Sequence, residues 1–85
     1  MPLCASGIFA IGDGTGGPEF RQGHVGTSDD CIQRCLTLRK TQNREINGVT
    51  ISVSNPDNPA CYCESRMSGH SSSGYWRTCF LTRGN

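Results

Sequence analysis

The chain has 85 residues, 34% of them hydrophobic, with a formal net charge of +1, which suffices for one small domain with a modest core. A near-neutral balance, with no basic cluster beyond Arg39-Lys40, excludes a phosphate-neutralising nucleic-acid surface and the strongly cationic make-up of a lytic peptide. No apolar run approaches the roughly 18 residues of a membrane span, so membrane insertion is not expected.

The opening "MPLCASGIF" lacks the basic and apolar regions of a signal peptide. For a secreted protein, the expectation is therefore a mature piece or a module excised from a larger protein, with Met1 as an added initiator. Residues 4–12, "CASGIFAIG", form a short apolar run that reads as a first strand, with Ile8, Phe9 and Ile11 as its apolar content. The glycine-rich "GDGTGGPEF" (12–20) reads as a loop. Asp13 there invites a calcium reading, but the spacing is not that of an EF-hand and the loop offers too few carboxylates.

The clearest element is "GTSDDCIQRCLTLRK" (26–40). Thr27 or Ser28 can cap a helix, Asp29 and Asp30 sit at its positive end, and Arg39 and Lys40 lie in its last turn. Cys31, Cys35 and Leu38 fall on one face, with Ile32 and Leu36 beside them. After the polar connector "TQNREIN", the stretch "GVTISVS" (48–54) alternates, with Val49, Ile51 and Val53 against Thr50, Ser52 and Ser54. That pattern marks a half-buried strand. "NPDNP" is a turn, and "ACYCESR" is the return strand of a hairpin. "MSGHSSSG" (67–74) reads as a small-residue loop, and "YWRTCFLT" (75–82) as a last strand rich in aromatic and β-branched residues. The expected fold is α+β: one helix packed on a three- to five-stranded antiparallel sheet, in a single domain over 1–85.

The cysteines decide what holds it together. Six in so short a chain read as a disulfide framework formed in an oxidising, secreted or extracellular setting. On a helix Cys31 and Cys35 lie about 6 Å apart along one face. On a strand Cys61 and Cys63 lie about 6.6 Å apart on the same side. The two steps match, so a helix laid along the strand can close two bridges side by side, whereas bridging within either pair is disfavoured. Parallel running of the two elements gives Cys31–Cys61 with Cys35–Cys63, and antiparallel running gives the crossed pairing; the first is adopted as the expectation. Cys4 is then left with Cys79, a closure of nearly the whole chain worth about 4 kcal/mol in loop entropy.

Zinc is disfavoured, because neither C-x3-C nor C-x-C is the usual structural knuckle. Redox chemistry is disfavoured too, since no C-x-x-C occurs. No metal and no cofactor are expected.

The run "TSDDCIQRC", then "NGVTISV", "ACYCES" and "TCFL", resembles the PAN/apple group of extracellular modules, in which a C-x3-C helix is stapled across an antiparallel sheet. The similarity covers Cys4 to Cys79. A PAN module usually carries a cysteine just before the strand after the helix, where this chain has Asn47 and Gly48. The "CYC" pair is similar to that of the WSC domain, associated with carbohydrate binding, although Glu64 stands where that domain has glycine. The helix and C-x-C staple also resemble the cysteine-stabilised αβ motif of defensins and scorpion toxins. These resemblances imply a secreted or cell-surface binding module and transfer no ligand residues.

No stretch sets a nucleophile beside a base and an orienting group, and His70 beside Ser71, Ser72 and Ser73 reads as a polar loop. The chain is therefore expected to be non-catalytic. Tyr75, Trp76 and Arg77 are residue types common at binding hot spots, and aromatic faces with an arginine fork suit sugars and carboxylates. The plain alternative is that Trp76 and Phe80, which share a face, fill a small core. Tyr62, Glu64 and Arg66 point away from the Cys61/Cys63 side and are expected to line an exposed sheet surface or to be ordinary solvated strand residues. The candidate ligand-binding residues are thus Tyr62, Arg66, His70, Tyr75, Trp76 and Arg77. The expected ligand is a glycan; the alternative is an extracellular protein bound in interaction or adhesion.

Overall fold

The computed structural model describes residues 2–4, 9–55 and 57–82. Its elements are β1 (Ala10–Ile11), β2 (Gly14–Thr15), β3 (Glu19–His24), α1 (Ser28–Thr41), β4 (Ile46–Ser52), β5 (Ala60–Ser65), β6 (Gly69–His70) and β7 (Trp76–Phe80). Five strands form one antiparallel sheet in the order β1-β7-β4-β5-β3, and β2 with β6 forms a two-stranded ribbon. The fold is α+β and disulfide-rich, as the patterning indicates.

Helix α1 starts where its end groups can be satisfied. The Thr27 hydroxyl accepts from the Asp30 amide at 3.1 Å, and the Asp30 carboxylate accepts from the Thr27 amide at 3.1 Å, a reciprocal capping box. Asp29 and Asp30 complement the positive end of the helix and Arg39 and Lys40 the negative end. At the far end the amides of Gln42 and Asn43 both donate to the Leu38 carbonyl. Arg39 then reaches across to the Thr82 carbonyl at 2.8 Å, tying the helix to the chain that follows β7. Removing the cap oxygen with Thr27→Ala should cost about 1 kcal/mol, read as a lower midpoint in urea with an unchanged slope.

The helix lies on β4 and β5. Cys31 bridges Cys61 and Cys35 bridges Cys63, with Cα separations of 5.6 and 5.4 Å, so the helix and β5 run the same way. Cys4 bridges Cys79 at 5.1 Å. The buried cluster between helix and sheet consists of these six cysteines with Val25, Ile32, Ile46, Val49, Ile51 and Leu81. Half of the core is thus cystine, and covalent links supply what apolar area alone does not in so small a domain.

Three expectations are corrected. The strand after the helix runs Ile46–Ser52, so Val53 lies beyond it. The glycine-rich segment read as a loop contains β2 and leads into β3, and the loop over 67–74 contains β6. Strand β3 escapes the patterning because "EFRQGH" holds one apolar residue, lies at the sheet edge and is mostly exposed. Its register also breaks between Arg21 and Gly23, where a bulge interrupts the alternation. Of the expected first strand, residues 5–8 lie outside the described residues; Ala10 and Ile11 pair with Thr78 and Arg77.

Candidate functional site

Because side chains alternate along a strand, the helix claims one face of the sheet and leaves the other. Cys61 and Cys63 point to the helix, so Tyr62 and Glu64 point away. Across the sheet Tyr62 is in register with Arg21 on β3 and Thr50 on β4, and Thr50 with Thr78 on β7. The next row brings Glu64 opposite Glu19 and Gly48, and Trp76 stands opposite Ser52.

This outer face has two parts. On the first, the rings of Tyr62 and Trp76 meet edge to face, with centroids 5.4 Å apart and planes at 79°. The two reach each other across β4 from its two neighbours, and both stay half-exposed. Arg21 is the charged residue in the same row.

The second part is roofed by the ribbon. Its backbone lies directly on the sheet: a Cβ at Gly14 would stand 2.6 Å from Met67 Sδ and 2.9 Å from Glu64 Cδ. Below, a Cβ at Gly48 would stand 2.4 Å from Met67 Cε. Two glycines therefore let Met67 and Glu64 fit between sheet and ribbon. The Gly14 amide donates to Thr50 Oγ1 at 3.3 Å, and Thr78 Oγ1 donates to the Val49 carbonyl at 2.9 Å. The Thr50 hydroxyl has one proton and two acceptors in reach, Thr78 Oγ1 at 3.0 Å and the Glu64 carboxyl.

Glu64 is only 2% exposed, which corrects the expectation that it lies on an open sheet surface. The covering residues, Gly14 and Met67, come from segments without periodicity. Burial pushes its carboxyl up to about 8; the Thr50 hydroxyl opposes this, and a hydrogen bond that the protonated acid shares with Glu19 adds to it, as do the charges of Glu19 and Asp13. Asp13 is raised in turn by burial and by Glu19, against a hydrogen bond from the Gly14 amide. Carboxylate oxygens of Asp13, Glu19 and Glu64 all lie within 4.8 Å of one another. Cys31, Cys35 and Cys61 are also close together, but their sulfurs are committed to disulfides.

Of the six candidate ligand-binding residues, the structure joins Tyr62 and Trp76. Arg66 directly follows β5 with φ 51° and pairs with Glu45 at 3.5 Å, both side chains about 60% exposed (62% and 60%). An exposed pair of this kind contributes little. His70 lies exposed on β6, its Nδ1 2.9 Å from the Ser71 carbonyl. Tyr75 is 74% exposed ahead of β7. Arg77 is in register with Ile51, on the side of the sheet that carries the helix. Its guanidinium donates to the carbonyls of Gly74 and Trp76 at 3.0 and 2.8 Å. Asp13 enters sequence reasoning only as a calcium candidate set aside for want of further carboxylates, and Arg21 and Glu19 escape it because their segment reads as loop or carries no pattern. Trp76 and Phe80 do share a face, but it is the outer one, and the disulfide core lies on the other side.

The fold and this face define a class: a small α+β domain, stapled by three disulfides, that presents an aromatic pair and a buried carboxylate group on the outer side of its sheet. No family model, curated protein or solved structure matches the chain.

Proposed function

We propose that the protein is a non-catalytic, extracellular ligand-binding module that recognises carbohydrate on the outer face of its sheet. The observation that carries this reading is the half-exposed Tyr62–Trp76 pair, with Arg21 in the same row. An aromatic face offers the C–H side of a sugar ring a flat apolar surface, and a guanidinium offers forked donors to hydroxyls or a carboxylate. Three disulfides support the extracellular assignment. Both histidines place Nδ1 against backbone carbonyls, His24 on Asn58 and His70 on Ser71, an arrangement that fits a binding module better than a proton-transfer site. The helix stapled across an antiparallel sheet is also the arrangement that the PAN/apple resemblance implies.

The alternative, a protein-interaction or adhesion module, draws on the exposed apolar side chains Leu3, Ile11 and Tyr75. The first two belong to the edge that pairs with β7. Titration of the 15N-labelled protein with a panel of neutral and acidic monosaccharides and short glycans separates the two. Carbohydrate recognition predicts shifts centred on Arg21, Tyr62 and Trp76, and about 30-fold weaker binding in Trp76→Ala, the usual scale for an aromatic hot spot. A panel that moves no resonance in these strands would sink the sugar reading.

A further inference from the structure

We propose that Asp13, Glu19 and Glu64 form a calcium-class divalent-cation site that pins the glycine-rich segment before β3 to the outer face of the sheet. Three carboxylates close together would not suffice for this alone. The decisive feature is Glu64, whose buried Oε2 has no hydrogen-bond donor among the described residues while its carboxylate stays ionised, and whose carboxylate lies within 4.8 Å of those of Asp13 and Glu19. A buried carboxylate oxygen without a partner is costly. None of the three carboxylates forms an ion pair among the described residues, and each one's nearest charged neighbours in the cluster are the other two. A cation between them removes both penalties.

The geometry and chemistry suit calcium. Oxygens on opposite sides of one calcium ion lie at most about 5 Å apart, twice a Ca–O bond, and the three carboxylates fall within 4.8 Å. All donors are hard oxygens, the set that suits calcium, magnesium and manganese. Magnesium keeps several waters and demands near-ideal octahedral geometry, which a buried floor, one strand-borne and one loop-borne carboxylate do not provide. Glu19 is exposed and Asp13 half-buried, so an ion enters from the side of β3 and meets Glu64 as the floor. Gly14, which has no side chain, lets the ribbon backbone close directly over that floor. The inference is independent of the sugar-binding reading.

The test is thermal unfolding of the 85-residue protein at pH 7.5 in EDTA and in 10 mM calcium chloride. An extracellular site of millimolar to submillimolar affinity should raise Tm by about 5–10 °C. Amide shifts should be confined to residues around Asp13, Glu19 and Glu64, and magnesium at the same concentration should give under a third of the effect. In Glu64→Gln the response should vanish while the protein remains folded in EDTA. An unmoved wild-type Tm in calcium would overturn the site, as would an equal response in Glu64→Gln. Equal stabilisation by magnesium would overturn the calcium assignment.

Discussion

Replacing Cys31, Cys35, Cys61 and Cys63 together with alanine is expected to leave the chain without a cooperative fold at 37 °C. The two bridges close sequence separations of 30 and 28 residues, each worth about 3.6 kcal/mol in loop entropy when counted alone. Their loops overlap, so the pair together contributes less than the sum. Even so, a domain of this size has only about 4–13 kcal/mol in total, and the substitutions also empty four positions at the centre of a twelve-residue core. Cys4→Ala with Cys79→Ala should behave differently. That bridge spans 75 residues and is worth about 4.5 kcal/mol by the same argument, yet it secures chain ends that other bonds also hold. Strand β7 stays in register with β4 over five residue pairs, and Arg39 still holds Thr82. The expected result is a lower Tm with a retained helix signal. Far-UV circular dichroism and the dispersion of a 15N spectrum read both variants. A four-alanine variant with native dispersion would refute the claim that the staples carry the fold. So would four or more free thiols in the denatured, unreduced wild type.

That dependence on two bridges is legible in the spacing of the cysteines, and the reason is metrical. One helical turn and a two-residue strand step are nearly the same length, so C-x3-C and C-x-C announce a helix lying along a strand. The capping box around Thr27 and the alternation through Val49 and Ile51 are legible for a similar reason, since each is a local rule satisfied by neighbouring residues. Strand β3 is not, because an edge strand needs only one covered face and this one carries a bulge at Gln22. The two-residue strands β2 and β6 are too short to show any period. The candidate site inherits this division. Alternation alone places Tyr62 and Glu64 opposite the cystines. That Tyr62 meets Trp76 depends on β4 lying between β5 and β7, a fact of topology. That Glu64 is buried depends on Gly14 and Met67, which arrive from segments whose sequence says only that they are flexible enough to fit.

In the absence of calcium, Glu64→Gln is expected to stabilise the protein at pH 8 by about 4 kcal/mol and to change it by less than about 1 kcal/mol near pH 4.5. The native carboxyl ionises near 8, against an ordinary value of 4.5. Between those values the folded state holds a proton that the unfolded chain has already released. The folded state therefore binds more protons, and stability falls as pH rises through this window. Below about 4.5 both states are protonated and the loss disappears; above about 8 it has reached its full size. The total is about 5 kcal/mol, set first by burial and reinforced by Glu19 and Asp13. Glutamine keeps the neutral shape at every pH, so the difference between wild type and variant reports the ionisation of Glu64 together with its coupling to Glu19 and Asp13. Urea denaturation in EDTA from pH 4.5 to 8.5 measures it, and parallel stability curves for the two proteins would show that Glu64 ionises freely in the fold. The same substitution then has opposite consequences in the two solutions. Where only protons compete for the site, removing the charge stabilises the fold; where calcium is present, removing it deletes the ligand that holds the ion. A stability difference that reverses sign on adding calcium is therefore the signature of a buried carboxylate built for a cation, and a merely strained acid would show the first effect without the second.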